Sequence, residues 1–559
     1  MVSEFFELFK TPWEFYRDGQ RYDVVLCTGD SLFDENGARL VLTYSGQLLP
    51  NDCQDSVRSI PRTKRHRKLS YQGQSIPIYG NCVSFAQETE ILMDEETHLP
   101  AVHVESLHGS MRVRIGYDLF GEVRTLLTEG QPVEHAGIPT LELHIALLRD
   151  LIVASGAPFL EIPPVPDGYS FIGCLTHDID HPSIRRHKFD HTMFGFLYRA
   201  IFGSLRDLVR GRVSVSHLLS NWTAALKLPL VHLGFANDFW HRFQDYPQME
   251  KGAPSTFFVI PFQGRRGANG RGLAPSRRAA GYGADDIAVE IRDLMASGCE
   301  IGLHGIDAWC DASRGREELQ EVRRITGVQE LGVRMHWLYF NEQSPVNLER
   351  AGASYDSTVG YNETIGYRVG TTQAYKPFEA TRLLELPLHI MDTALFYPGH
   401  LNLSAREARK QVDRLIAQVS QFGGSITVNW HDRSIAPERQ WGLFYRDLVD
   451  DLKRRGAWLS TAAQASTWFR KRRSAVFEAV NWEADTVHVK VAVSRSDGAP
   501  GLQLRIHKAR RACQLTAIGT ASFAGDVNIC LNGSIDARIP LRPSNEVVLP
   551  AKAIAGTAV

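Results

Sequence analysis

From Tyr169 to about Arg470, short apolar runs alternate with stretches whose apolar residues recur at helical spacing. The runs cover 170–176, 255–260, 300–303, 332–335, 384–388, 425–430 and 457–460, and helical patterns such as 285–297 and 404–421 lie between them. Strands separated by helices imply parallel βα units, and about seven such units can close into a barrel. A long helical stretch at 181–250 interrupts the rhythm after the first strand. It carries basic and apolar positions together, which admits membrane-surface contact through 185–212 beside the plainer reading of a solvated cover for the barrel mouth.

The flanks read differently. Residues 1–165 mix strand-like runs at 22–27 and 111–117 with a helical pattern at 141–153, and they end in the breaker-rich stretch 163–168. An α/β domain of unknown role is expected there. After about Ser474 the alternation turns strand-like, at 485–493 and 502–507, with no helical period between. This predicts a small antiparallel β domain, a sandwich, over 475–559. The expected division is therefore 1–165, 166–472 with its insertion, and 475–559, in a chain whose 559 residues exceed one core.

Composition narrows the partners. The chain carries 62 basic and 63 acidic side chains, so its overall charge gives no reason to expect nucleic acid. No stretch offers about 18 consecutive apolar residues, so no spanning helix is expected. The first residues lack the basic-then-apolar order of a secretory signal. Eight scattered cysteines without a C-x-x-C pair suit reduced thiols. Together these features read as a cytoplasmic protein.

The chemistry lies just past the apolar runs. The first delivers Asp178 and Asp180, two apart, which extended geometry would project to one side. Two close carboxylates both stay ionised when one binds a metal and the other remains free as a base. His304, His336 and His431 each follow another run directly. In a βα barrel these strand ends open onto one face, so the residues are expected to converge. Mixed Asp and His donors suit a divalent metal, zinc first, with cobalt, nickel or manganese also admissible. Trp337, Trp430 and Tyr367 are the candidates for stacking against a sugar.

In these motifs the chain resembles the polysaccharide deacetylase superfamily, carbohydrate esterase family 4 and its relatives. Thr176-His177-Asp178-Ile179-Asp180 is similar to the family's T-F-D-D-G motif in an H-D-x-D form. The stretches 352–371, 385–392 and 457–468 follow in family order, and the likeness spans 170–470. It implies a distorted (β/α)7 barrel and a metal-dependent hydrolase that removes N- or O-linked acetyl groups from a carbohydrate or glycoconjugate. It further implies Asp178 as the base, Asp180 and His304 as metal ligands, Arg368 orienting the base, and His431 as general acid. One departure stands out. The family's second metal histidine falls at Ala308, which leaves His336 or Asp307 as the replacement; His336 is favoured, because a strand-end imidazole points into the mouth unaided. The alternative is a degenerate barrel that serves as a carbohydrate-binding or scaffold protein in polysaccharide biosynthesis.

Overall fold

The computed structural model describes residues 1–29, 37–50, 52, 57–58, 67–86, 89–107, 109–211, 213–436, 438–483, 486–494, 498–507 and 526–540. The remainder of the expected C-terminal region, 484–485, 495–497, 508–525 and 541–559, lies outside the described residues, and with it the first residue of the expected strand 485–493.

Seven strands make one parallel sheet: β1 (Phe171–Ile179), β2 (Thr256–Val259), β3 (Glu300–Gly305), β4 (Val333–Met335), β5 (Ile390–Met391), β6 (Ser425–Asn429) and β7 (Ala457–Ser460). The order is β4-β3-β2-β1-β6-β5. β1 is shared between two partners on one side: Phe171–Cys174 lie beside β7, and Thr176–Ile179 beside β2. β6 runs along its other side. Every residue of β1 is buried, as expected for a central strand covered on both faces.

Between β4 and β5 the chain around Asp356 and Glu385 fills the gap through single parallel bridges, Val333 to Asp356 and Asp356 to Glu385. The sheet is thus a parallel half-barrel, consistent with a distorted (β/α) barrel. The expected strand at 384–388 is displaced, and the ladder to β6 begins only at Ile390. Pro387 explains the shift, because it has no N–H to give to a ladder. The helices Ala288–Ala296, Ala312–Thr326, Ala405–Phe422 and Gly442–Arg454 pack on the sheet's outer face. The capping box of Ser404 with Glu407 starts the third of these.

Before the barrel, Val24–Cys27, Leu40–Tyr44 and Ser110–Ile115 run parallel, and Val102–Leu107 closes the sheet antiparallel. The helices Leu119–Thr128 and Thr140–Ala154 share one apolar cluster with it. After the barrel the strands pair antiparallel in two small sheets. One of these is completed by Phe159–Glu161 from the segment that precedes the barrel. Arg472 fastens the same seam: fully buried, its guanidinium donates to the carbonyls of Glu7, Leu8 and Ile162. Among the described residues no helix is long and apolar enough to cross a membrane.

Candidate metal centre and its acid–base partners

Three strands each deliver a pair of polar residues two positions apart: Asp178 and Asp180 from the end of β1, Arg334 and His336 from β4, Asn429 and His431 from β6. Period-two alternation sends both members of a pair to the same side of the sheet. β3 contributes His304, in register with Arg334. Five of these seven side chains are buried; Asp180 and His431 keep a small opening, at 17% and 13% side-chain exposure.

The inner members form a hydrogen-bonded set. Asp178 Oδ1 accepts from Arg334 Nη1 at 3.1 Å, and its Oδ2 accepts from Asn429 Nδ2 at 2.7 Å. Arg334 is fully buried and spends its other donors on the Ser357 carbonyl, Ser357 Oγ and Thr176 Oγ1. A buried carboxylate with two such donors, one of them charged, is fixed in orientation.

The outer members meet differently. His304 Nε2 and His336 Nδ1 stand 3.1 Å apart, and Asp180 Oδ1 lies 3.3 Å from each. The far nitrogen of each ring faces a backbone carbonyl: His304 Nδ1 donates to Arg334 O at 3.0 Å, and His336 Nε2 donates to Arg278 O at 3.1 Å. In a neutral ring such a bond sets the tautomer, with the proton on the outer nitrogen and the lone pair turned inward. Burial pushes the His336 imidazole below its usual pKa, which favours this neutral form. Asp180 Oδ1 is buried and accepts no hydrogen bond. Three ligand atoms, Asp180 Oδ1, His304 Nε2 and His336 Nδ1, therefore converge within 3.3 Å of one another, an arrangement that suits a cation.

The dimensions suit one. Tetrahedral donors at about 2.0–2.1 Å from a zinc ion stand about 3.3–3.4 Å from one another. Octahedral neighbours at about 2.1 Å stand about 3.0 Å apart, so the spacing admits either coordination. Two imidazoles and one carboxylate, each ring held by a carbonyl behind it, match the donor chemistry of a divalent transition metal.

His431 stands on the other side. Its Nε2 is 3.8 Å from Asp180 Oδ2, and its Nδ1 is 2.6 Å from Asp392 Oδ1. Burial works against its charging, but the charge and hydrogen bond of Asp392, with Asp180 and Asp178 beyond, outweigh it and hold the imidazolium up at about 9. Asp392 is itself fully buried and accepts from the His431 N–H at 2.7 Å and from Ser434 Oγ. Asp432 is occupied elsewhere, accepting from the His181 and Arg433 N–H groups.

Four expected placements change. The guanidinium on Asp178 belongs to Arg334, while Arg368 lies over the Tyr361 ring and donates to the Glu129 carbonyl. Arg368 was expected from motif order, but its stretch turns outward onto the N-terminal region, where Gln131 N bonds the Arg368 carbonyl. Trp430 is fully buried among Phe396, Phe444 and Tyr445, and Tyr367 is fully buried with its hydroxyl on the Leu415 carbonyl. Both are packing residues with no face free for a sugar. Asp307, the other possible third ligand, is held by Ala268 N and Arg314 Nη1. Trp337 alone of the three aromatic candidates is half-buried at the mouth, its ring centre 5.9 Å from that of His336.

Three contributors escaped the sequence. Arg334 and Asn429 both sit two before a histidine, the signal that had marked Asp178 before Asp180. Arg278 had no such signal. It lies beyond the Arg/Gly-rich loop at 264–272, and its guanidinium donates to the carbonyls of Arg266, Ile306 and His336 while its own carbonyl orients His336. Just past His336, Trp337 and Leu338 adopt successive left-handed backbones, φ 63° and 52°. Non-glycine residues pay strain there, and such strain clusters at functional sites.

No family model matches the chain, and no curated protein matches it. Solved structures similar to it include polysaccharide deacetylases. One described so from Mycobacterium smegmatis is 18% identical, with a TM-score of 0.34, over 56% of this chain and 95% of its own. Another from Pseudomonas aeruginosa PAO1 is 14% identical, with a TM-score of 0.34, over 57% and 97%. Puue allantoinase is 13% identical at the same TM-score, over 55% and 92%. Overlap this low carries no functional weight, and the chemistry is argued from the side chains.

Proposed function

We propose that the chain is a metal-dependent hydrolase that removes acetyl groups, N- or O-linked, from a carbohydrate or glycoconjugate. The observation that carries this reading is the convergence of three ligand atoms, Asp180 Oδ1, His304 Nε2 and His336 Nδ1, within 3.3 Å of one another. These residues would hold the cation. When bound, it would supply Lewis acidity toward the scissile carbonyl and the attacking water.

The chain's own residues would do the rest. Asp178 lies on one side of the triad, its Oδ2 4.0 Å from His304 Nε2. Arg334 and Asn429 keep it aimed, so it would take the proton from water as the oxygen attacks the acyl carbon. His431, already protonated through Asp392, would deliver the Nε2 proton to the departing amine or hydroxyl as the C–N or C–O bond breaks. Acetate and the free sugar group leave. Base and acid would thus both stand beside the same set of ligand atoms. Trp337, half-buried beside His336, would meet a sugar face at the rim. The carbohydrate class itself rests on the motif resemblance and on this one aromatic.

The degenerate-barrel alternative drew its support from Ala308. That support weakens because His336 brings a third donor from another strand. The test is metal content of the purified chain by mass spectrometry, beside folded Asp180→Ala and His304→Ala variants, followed by acetate release from acetylated oligosaccharides. About one ion per wild-type chain, absent from both variants, is expected. A chain that takes up no zinc, cobalt, nickel or manganese on reconstitution would overturn the reading.

A further inference from the structure

The insertion after β1 has more apolar surface than its own packing uses. Its first helical arm runs through His191–Tyr198, a π-turn at Arg199–Gly203 and Ser204–Val209; the second is Val215–His232. The arms pack on each other, and Met193, Phe196, Ala224, Leu228 and Val231 are buried in a cluster with Trp240. That face satisfies the helices. Yet each arm carries a second apolar stripe that faces outward.

On the second arm Val215, Leu219, Trp222, Leu226 and Leu230, with Leu233 just past its end, recur every three or four residues, and all are exposed. On the first arm Phe194, Tyr198, Phe202, Leu205 and Val209 do the same. Leu226 is 80% exposed and Val209 82%. Of the 23 large apolar side chains exposed among the described residues, 14 lie within 189–235. Scattered exposed leucines are ordinary, but a continuous apolar stripe along each of two packed arms marks a docking face.

Charge selects the occupant. Residues 185–235 hold eight lysines and arginines against two aspartates, in a chain whose net charge is −1. Arg185, Arg186, Lys188, Arg206, Arg210 and Lys227 are all exposed. An apolar stripe flanked by a cationic surplus is the pattern of a helix lying in the interface of an anionic bilayer. A second copy of the same face would instead set one surplus of positive charge against another.

The hairpin is also fixed to the barrel's open face. Asp238 closes its base by accepting from Ser183 Oγ and from the N–H groups of Ile184 and Arg185. His217 Nε2 meets the Glu438 carbonyl, and Trp240 Nε1 donates to Glu438 Oε1 at 2.5 Å, beyond β6. Its root begins within a few residues of Asp180. We infer that the hairpin 189–235 is an interfacial docking element that seats the strand-end face of the barrel on an anionic lipid bilayer. This inference stands whether or not the metal site is catalytic.

The test is co-sedimentation of the full chain with vesicles of pure phosphatidylcholine and with vesicles containing about one third phosphatidylglycerol, at low and high salt. Light scattering of the chain without vesicles runs alongside. The variants are Leu226→Ser with Leu230→Ser, and Arg206→Glu with Arg210→Glu. All four positions are exposed, and retained circular dichroism and Tm confirm folding. Expected is binding to the anionic vesicles, weakened at least tenfold by either pair and by salt. No binding by the wild-type chain, or equal binding by all three proteins, overturns the inference. So does a wild-type dimer that the Leu226→Ser, Leu230→Ser pair dissociates, which would assign the face to a second copy.

Discussion

Arg334 Nη1 donates to Asp178 Oδ1 at 3.1 Å from a strand three places along the sheet. The same guanidinium is tied to Ser357 and Thr176, so it can hold the carboxylate at one angle only. Arg334→Lys keeps the charge but loses the planar fork. It is expected to lower kcat for deacetylation by about 10²-fold, within the range for a mispositioned general base, with KM and bound metal little changed. Kinetics beside metal analysis check this, and unaltered kcat would show that the pair is structural.

His431 and Asp392 should matter most when the leaving group is poor. Asp392→Asn removes the charge that holds the imidazolium. Amide hydrolysis is then expected to fall by about 10²–10⁴-fold, the usual worth of acid catalysis, while an aryl acetate, whose leaving group needs no proton, loses less than about tenfold. Equal losses on both substrates would remove His431 from the general-acid role.

Trp430 and Trp337 make opposite predictions. Trp430→Ala empties a fully buried aromatic cluster and should cost about 3–5 kcal/mol of stability. Trp337→Ala at the rim should leave unfolding nearly unchanged and raise KM for the saccharide. Paired denaturation and kinetic curves separate the two. A stability loss at Trp337 without a KM effect would make it a packing residue as well.

Glu122 sets a pH dependence far from the site. Burial lifts its carboxyl to about 7, against the pull of the Tyr79 and Gly80 N–H groups that it accepts. Below its unfolded value of about 4.5 both states hold the proton. As pH rises toward 7 only the unfolded chain ionises, so stability falls across that window and levels off above it, by about 3 kcal/mol for this group. Glu122→Gln should therefore lose less stability between pH 5 and 8 than the wild-type chain. Urea unfolding across that range checks it, and parallel curves would exclude the assignment.

What the sequence made legible was position along a strand. Asp178, Asp180, His304, His336 and His431 were found because each directly follows an apolar run, and alternation carries over into space. What it hid was who stands opposite. Arg334 is a neighbour of Asp178 only through the register of four strands, and Arg278 reaches His336 from a loop with no periodicity at all. Arg368 fails for the complementary reason: motif order places a residue in sequence, but the chain from Ile365 to Thr372 folds onto the preceding region, where Leu141 N bonds the Gly370 carbonyl. Trp430 alternates correctly with His431, which sends it to the opposite, core-facing side.

The two imidazoles are steered by main-chain carbonyls, those of Arg334 and Arg278, and not by carboxylates. A carboxylate steering group can be lost to a single base change; a carbonyl is present whatever residue occupies the position. The ring orientation therefore depends on where the backbone runs and is vulnerable to insertions or deletions that slip β3 against β4. The two arginines keep that backbone in place: the Arg278 guanidinium fastens the carbonyls of Arg266, Ile306 and His336, and Arg334 ties β4 to Ser357 and to Thr176 and Asp178 of β1, so the seat of a cation and the aim of the base are built on the same two side chains.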